Sequence, residues 1–290
     1  MKLSPILAVV TNIDREHLDH YPSIVEIRAA FLEFVQKVPF YGAAILCLDD
    51  ENVQQLLPSV NRRTITYGRS HQATLHIADA ECGPFESRFS VRTRGHDVGK
   101  FHLRVPGIHN VLNATAAIAI GLELDVKLGA IQEAIAMYSG VDRRFQTRGS
   151  TRGVTVIDDY GHHPTEIRAT LAAAQLCGFA RIHAVFQPHR FTRTLHLMDE
   201  FAKSFHQADV VYILDIYAAS EQPIEGITGS SLAERMRAFG HRCVHYTGAI
   251  EQTADAVVQN ARDRDLVLTL GAGNVWQVGE RVLEKLREAA

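Results

Sequence analysis

Two carboxylates, a phenol and two imidazoles fall close together in Asp158-Asp159-Tyr160-Gly161-His162-His163-Pro164. Side chains of these types exchange protons, pair with cations and hold polar ligands. The run lies between an apolar segment, Gly153 to Ile157, and an Ala-rich one from Thr165. That order reads as strand, tight polar turn, helix. It puts the polar residues at the carboxyl end of a strand, where open α/β sheets bind ligands. A second cluster, Gln187-Pro188-His189-Arg190-Phe191-Thr192-Arg193, follows the next strand and reaches the same sheet edge. Arg190 and Arg193 are three apart on a starting helix, so both can face one crevice. Cations at a helix N-terminus oppose its dipole, and that local cost favours an anionic ligand over a plain surface patch.

Four further segments carry polar groups at useful spacings. Asn110 and Asn113 share one face of the first turn of a helix, where two amides can read a base edge. An Asn at a helix start is equally a capping residue. Arg143-Arg144-Phe145 follows Gly140 near a boundary, and arginine forks clamp phosphates and carboxylates, although an exposed charge pair is the commoner reading. Thr11 to Asp19 follows the first strand and offers His17 with acidic neighbours as contacts for a metal or its waters. Oxygen ligands suit Mg²⁺ better than an imidazole, so a solvated loop is the plainer alternative. Gly271-Ala272-Gly273-Asn274 follows the last strand. As half of a dinucleotide fingerprint it is weak, since Trp276 stands where a glycine is wanted. It is convincing as a turn of close backbone approach. No GxxxxGK[ST] loop occurs in the chain, so the usual phosphate cradle is missing from it.

The elements that must position these residues follow from composition and periodicity. The chain has 290 residues, 46% hydrophobic and 22% charged, which fits two globular domains. A net charge of -3 gives no basic footprint for nucleic acid. Cys47, Cys82, Cys177 and Cys243 are scattered without a CxxC, so a reducing, cytoplasmic setting fits best. Ser4 to Val10 is too short to span a membrane and lacks the parts of a signal peptide, so no membrane insertion is expected. An apolar strand this early suggests that something preceded it.

Before residue 147 the pattern mixes strands (Ile6 to Ile13, Ala43 to Leu48, Thr64 to Tyr67, then antiparallel strands over Leu75 to Arg104) with helices. The helices expected are Ser23 to Val38, capped by Ser23, then Glu51 to Leu57, Asn110 to Leu124 and Leu128 to Tyr138. After Gly149 the rhythm becomes regular β-α alternation. Strands are expected at 153–158, 182–187, 209–214, 242–246 and 265–270, and helices at 165–177, 193–206, 229–239, 249–260 and 275–288. Such alternation predicts an α/β, doubly wound parallel sheet. The boundary is expected near Thr147, giving domains 1–147 and 148–290.

Taken together, the segments VVTNIDREHLD, PFYGAAILCLDD, GIHNVLNATAA, RRFQ, VIDDYGHHPTE, FQPHRFTRT and GAGN resemble the Mur ligase family, in its expected order and over nearly the whole chain. The resemblance is strongest to its alanine-adding members, with the ligase that recycles muropeptides the nearest alternative. It implies a partial central ATPase domain, a mixed sheet with helices, followed by a C-terminal Rossmann-like domain that binds the amino acid. The family's N-terminal nucleotide-sugar domain and P-loop are expected to lie outside this chain, as a missing N-terminal portion.

The chemistry implied is ATP-dependent ligation of L-alanine to UDP-N-acetylmuramate through an acyl phosphate, in peptidoglycan precursor synthesis. ATP and Mg²⁺ are the implied cofactors. By the same resemblance His17 contacts the magnesium, Asn110 and Asn113 hold adenine, and Arg144 and Asp159 touch ATP. Tyr160, His162, His189, Arg190 and Arg193 shape the alanine and acyl-phosphate pocket. A nucleotide-binding remnant without catalysis is the competing reading. A nicotinamide enzyme is a third, supported by GAGN alone.

Overall fold

The computed structural model describes residues 4–16 and 21–288. It divides into two compact units, Met1–Ser139 and Gly140–Ala290. The division falls earlier than the expected boundary near Thr147, because residues around Thr147 form a strand that pairs within the second unit.

In the first unit β1 (Leu7–Val10) is followed by α1 (Ile24–Gln36), β2 (Ala43–Cys47), α2 (Glu51–Leu56) and a 3-10 turn at Leu57–Ser59. Then come β3 (Thr64–Gly68), β4 (Leu75–Gly83), β5 (Glu86–Thr93), β6 (His96–Leu103), α3 (Ile108–Glu123) and α4 (Leu128–Met137). The six strands lie side by side in chain order. The first four run parallel and the last three are joined as antiparallel hairpins. Every residue of β2, Ala43-Ala44-Ile45-Leu46-Cys47, is buried, as the unbroken apolar run of a strand covered on both faces requires. On one face Ala44 and Leu46 meet Ile27, Val35 and Val53 of α1 and α2. On the other, Ile45 and Cys47 meet Val111, Ile118 and Ile131 of α3 and α4. Ser23 caps α1 by accepting from the Glu26 N–H, and Asp50 caps α2 by accepting from Val53. The β5–β6 turn has Arg94 and Gly95 both at positive φ, the geometry of a tight hairpin.

The second unit contains β7 (Gln146–Thr151), β8 (Val154–Asp159), α5 (Pro164–Gln175), β9 (Ile182–Phe186), α6 (Phe191–His196) and α7 (Met198–Ala202). It continues through β10 (Val210–Leu214), α8 (Gly229–Ala238), β11 (Val244–Gly248), α9 (Ile250–Asn260), β12 (Leu266–Leu270) and α10 (Trp276–Glu288). The strand order is β11-β10-β9-β12-β8-β7. All neighbours are parallel except β7, which runs antiparallel to β8 along the sheet edge. Val154, Val156, Val185 and Val267 pack against Val257, Val278 and Val282 of α9 and α10. On the opposite face Phe186 packs against Phe201 and Phe205. Helices therefore cover both faces, as in a doubly wound sheet.

The helix expected over 193–206 is broken. Leu197, buried, turns to φ -119 and ψ 20 and separates α6 from α7. An apolar side chain is worth more in the core than one more intrahelical bond there.

Candidate functional site

From β8 the chain steps outward through β9, β10 and β11, then returns through α9 to insert β12 between β9 and β8. The reversal opens a crevice at the carboxyl ends of β8, β12 and β9. Three loops meet there: Tyr160–His163, Gln187–Arg190 and Gly271–Asn274.

The loop after β8 is held from within. Asp158 is 1% exposed; its Oδ1 accepts from the Thr269 hydroxyl at 2.6 Å and its Oδ2 from Arg143 Nε at 2.9 Å. Arg143 also donates to the Gly271 carbonyl at 2.7 Å and so ties this loop to the one after β12. Asp159 accepts from the backbone N–H of Gly161 at 2.7 Å and of Phe145 at 2.8 Å. Burial pushes the Asp159 carboxyl up, against those two donors and the Arg144 charge. Glu166 accepts from the N–H groups of His162 and His163, completing a capping box in which His163 is the N-cap. Burial raises Glu166, but the His162 N–H and charge and the Arg144 guanidinium outweigh it and leave the carboxyl lowered. The guanidinium carbons of Arg143 and Arg144 stand 5.1 and 5.6 Å from the Tyr160 ring centre.

The loop after β9 differs. His189 Nδ1 is buried and has no hydrogen-bond partner. Its ring lies flat on Tyr217, with centroids 5.4 Å apart and planes within 10°, and 6.0 Å from His162. Burial, then the charges of Arg193, His162 and Arg190, bring the His189 pKa down to about 4, against the pull of Glu221. Arg190 holds φ 70 as the N-cap residue of α6, so it precedes the helix rather than lying in its first turn. Glu221 stands 3.9 Å from Arg190 and accepts from Thr192 through both backbone and hydroxyl at 3.0 and 2.6 Å. The arrangement is a partly buried, positively charged recess with an imidazole kept neutral and one ring nitrogen without a hydrogen-bond partner. It suits an anionic group beside an N–H donor.

The loop after β12 allows the close approach expected of it. Gly271 has φ 144, and a Cβ there would stand 2.8 Å from the Gln187 carbonyl. A Cβ on Gly273 would stand 2.9 Å from the Tyr217 ring. Gln187 exchanges hydrogen bonds with Asn274, whose side chain accepts at 2.9 Å and whose N–H donates at 3.1 Å.

The family description "Mur ligase middle domain" matches residues 1–121, and "Mur ligase, glutamate ligase domain" matches residues 143–273. The chain belongs to the Mur ligase family. It is 65% identical over 287 residues to the UDP-N-acetylmuramate–L-alanine ligase of Solibacter usitatus, covering 99% of this chain and 61% of the relative. The enzyme of that name from Koribacter versatilis is 52% identical over 292 residues, covering 99% and 62%. The solved UDP-N-acetylmuramate-alanine ligase of Thermotoga maritima superposes with a TM-score of 0.78 at 26% identity, over 99% of this chain and 61% of that one. The chain thus spans about three fifths of the length of these relatives.

The other residues expected from the family resemblance belong to the first unit. Asn110 and Asn113 lie in the first two turns of α3, but neither caps it; Gly107, at φ 98, is the N-cap residue. Asn110 donates to the Pro106 carbonyl at 2.7 Å, and Asn113 is exposed. His17 lies outside the described residues. Among the described residues no group of three or more His, Cys, Asp or Glu is placed to hold a metal ion. An open groove of about 800 Å³ lined by His71, His76, Arg92, Arg94 and Asp97 contains none of the residues singled out from the sequence.

Three residues of the crevice, Tyr217, Glu221 and Glu166, are not among the candidates singled out from the sequence. The signal for the first two was available. Asp215-Ile216-Tyr217-Ala218-Ala219-Ser220-Glu221 follows β10 at the same sheet edge, the position that marked the other loops. Glu166 was visible as the N3 acid of a helix start.

Proposed function

We propose that the chain carries the nucleotide- and amino-acid-handling parts of a ligase that joins L-alanine to UDP-N-acetylmuramate at the expense of ATP, in the cytoplasm. A carboxylate oxygen of the sugar acid attacks the γ-phosphorus and ADP leaves. The alanine amine then attacks the acyl carbon, the C–O bond to phosphate breaks, and the departing phosphate takes up the proton that the amine loses as the amide forms. Both steps move negative charge, so fixed cations that meet it lower the barrier. Arg190 and Arg193 pair with the alanine carboxylate or the acyl phosphate. Neutral His189, protonated on its other nitrogen, accepts an N–H of the incoming amine at Nδ1 and holds its lone pair towards the carbonyl. His162 and Tyr160 form the opposite wall.

The His189 atom carries this reading: a buried ring nitrogen without a hydrogen-bond partner, beside two arginines, is costly to keep unless a partner arrives. Membership of the family and the similarity to alanine ligases support it. The fit to ATP rests on the amides. Asn110 keeps its Oδ1 as an acceptor for the adenine amine, and exposed Asn113 offers both amide atoms. Arg144, half exposed, is proposed to meet the nucleotide, with buried Asp159 supporting the loop that presents it. Magnesium would accompany ATP, with His17 its proposed contact.

The test is alanine-dependent ADP formation by this chain joined to the part of the Solibacter relative outside the matched 61%. ADP and amide in equal amounts, lost on omitting L-alanine, are expected. A folded chimera that forms no amide with L-alanine would overturn the reading.

A further inference from the structure

Tyr217 belongs to no motif and has no role in the reading above, yet it touches two of the three loops of the crevice. Its N–H donates to the Pro188 carbonyl at 2.8 Å, and its carbonyl accepts from the Arg190 N–H at 2.9 Å. The pair forms an isolated parallel bridge opposite His189. The segment after β10 is thereby tied at fixed register to the loop after β9. The ring then does two things. It lies against the His189 imidazole, with centroids 5.4 Å apart and planes nearly parallel. Its other contact is with Gly273, which has no side chain to keep it away. The ring fills the space between the loops after β9 and β12, and 41% of the residue remains exposed.

An imidazole with a buried, unused Nδ1 is free to turn about its side-chain torsions unless something fixes its plane. No hydrogen bond at Nδ1 does so. The flat contact with Tyr217 does, and it also keeps water from that side of the ring. We infer that Tyr217 is a positioning residue for His189: its ring fixes the plane in which the imidazole meets the substrate and shields the ring from solvent. This rests on the ligase reading for the identity of the substrate, but not for the contact itself.

The charged and titratable groups around His189 come from every packed element. Arg190 and Arg193 belong to the start of α6, His162 to the loop before α5, and Glu221 to the loop after β10. The two arginines and His162 disfavour a proton on His189, and Glu221 favours one. Removing the Tyr217 ring admits water, which weakens the penalty of burial and screens the arginines. Both changes favour the protonated ring.

The experiment follows the histidine ring nitrogens by NMR as a function of pH in the chain itself. Tyr217→Ala is compared with Tyr217→Phe, which keeps the ring and loses the hydroxyl. The Ala variant is expected to raise the His189 titration by about one unit, the spread typical of histidines in folded proteins. The Phe variant should titrate as the parent does. His183, buried at the other end of β9 beside Asp265, serves as the internal control for folding and should not move in either variant. An unchanged His189 titration in a folded Ala variant overturns the inference, as does a Phe variant that shifts as far as Ala. The alanine-dependent chimera assay is read separately. Loss of amide formation there with a shifted His189 supports positioning within the ligase. A shift in a chimera that never forms amide leaves the contact standing and removes the ligase reading.

Discussion

The two ends of β9 carry the same residue types and use them differently. At the amino end, Asp265 accepts from Arg181 at 2.6 Å and meets His183 Nε2 at 3.0 Å. At the carboxyl end, His189 lies beside Arg190 and Arg193, and the nearby carboxylate, Glu221, reaches only to 3.9 Å of Arg190. Burial lowers both histidines. Asp265 opposes the effect at His183, whereas the arginines add to it at His189. The difference teaches what separates a structural cluster from a candidate site. One arginine-histidine pair is answered by a buried carboxylate of its own chain. At the other, the carboxylate Glu221 stands 3.9 Å from Arg190, and the proposed ligand is an anion.

Breaking the answered end should have the largest effect on stability. Asp265→Ala leaves the buried His183 imidazole without its carboxylate and Arg181 with the Asn260 carbonyl in place of an ion pair. Removing one partner of a buried pair costs about 3 kcal/mol, and urea unfolding at constant ionic strength should read a loss of that order. A loss within the scatter of surface substitutions would erase the contrast between the two ends.

The reverse is expected of the open end. Arg193→Ala should lower amide formation by the chimera about 100-fold, the cost of losing one preorganised contact to developing charge. Its unfolding free energy should fall by less than that of Asp265→Ala. An Arg193→Ala chain that is badly destabilised would mean that this end, too, is structural.

Acid sharpens the comparison further. The folded His189 binds its proton only near pH 4, while the unfolded chain binds one near pH 6.5. Between these values the unfolded state holds more protons, so stability contributed here is present above about pH 6.5 and falls as the pH drops towards 4. The slope cannot exceed about 1.4 kcal/mol per unit, the value for a difference of one bound proton. His189→Gln should flatten that segment of the stability curve without changing the region above neutrality. An unaltered slope would place the titration elsewhere.

The smallest effect is expected in the loop after β8. Glu166→Gln keeps the shape of the capping box and loses the charge, which should cost about 1 kcal/mol, read as a drop in the thermal midpoint. A cost near that of Asp265→Ala would make Glu166 the true anchor of the crevice.

Legibility in the sequence followed the same physics. The β-α alternation, the turns after β8 and β9 and the Gly271–Asn274 approach were all readable, because buried parallel strands are continuous apolar runs and tight loops need particular residues. Strand β7 was not. Gln146-Thr147-Arg148-Gly149-Ser150-Thr151 has no apolar periodicity, since an edge strand is held by its backbone bonds to β8. Missing it moved the expected boundary to Thr147. Tyr217 escaped for a related reason. Its role comes from contacts with Pro188, His189 and Gly273, none of which is near it in sequence. The recess was legible as residue types, and the difference between its loops only as geometry. Asp158 and Asp159 read as chemistry in the sequence; in the structure their oxygens accept from Thr269, Arg143, Phe145 and Gly161.

The measurement that bears most directly on the account is ligand titration of this chain followed at the His189 ring nitrogens, with inorganic phosphate and L-alanine as separate probes. The account predicts a saturable shift of His189 with either probe that disappears in Arg193→Ala, while His183 stays still. No shift at His189, or shifts shared evenly by exposed histidines such as His96 and His206, would contradict it.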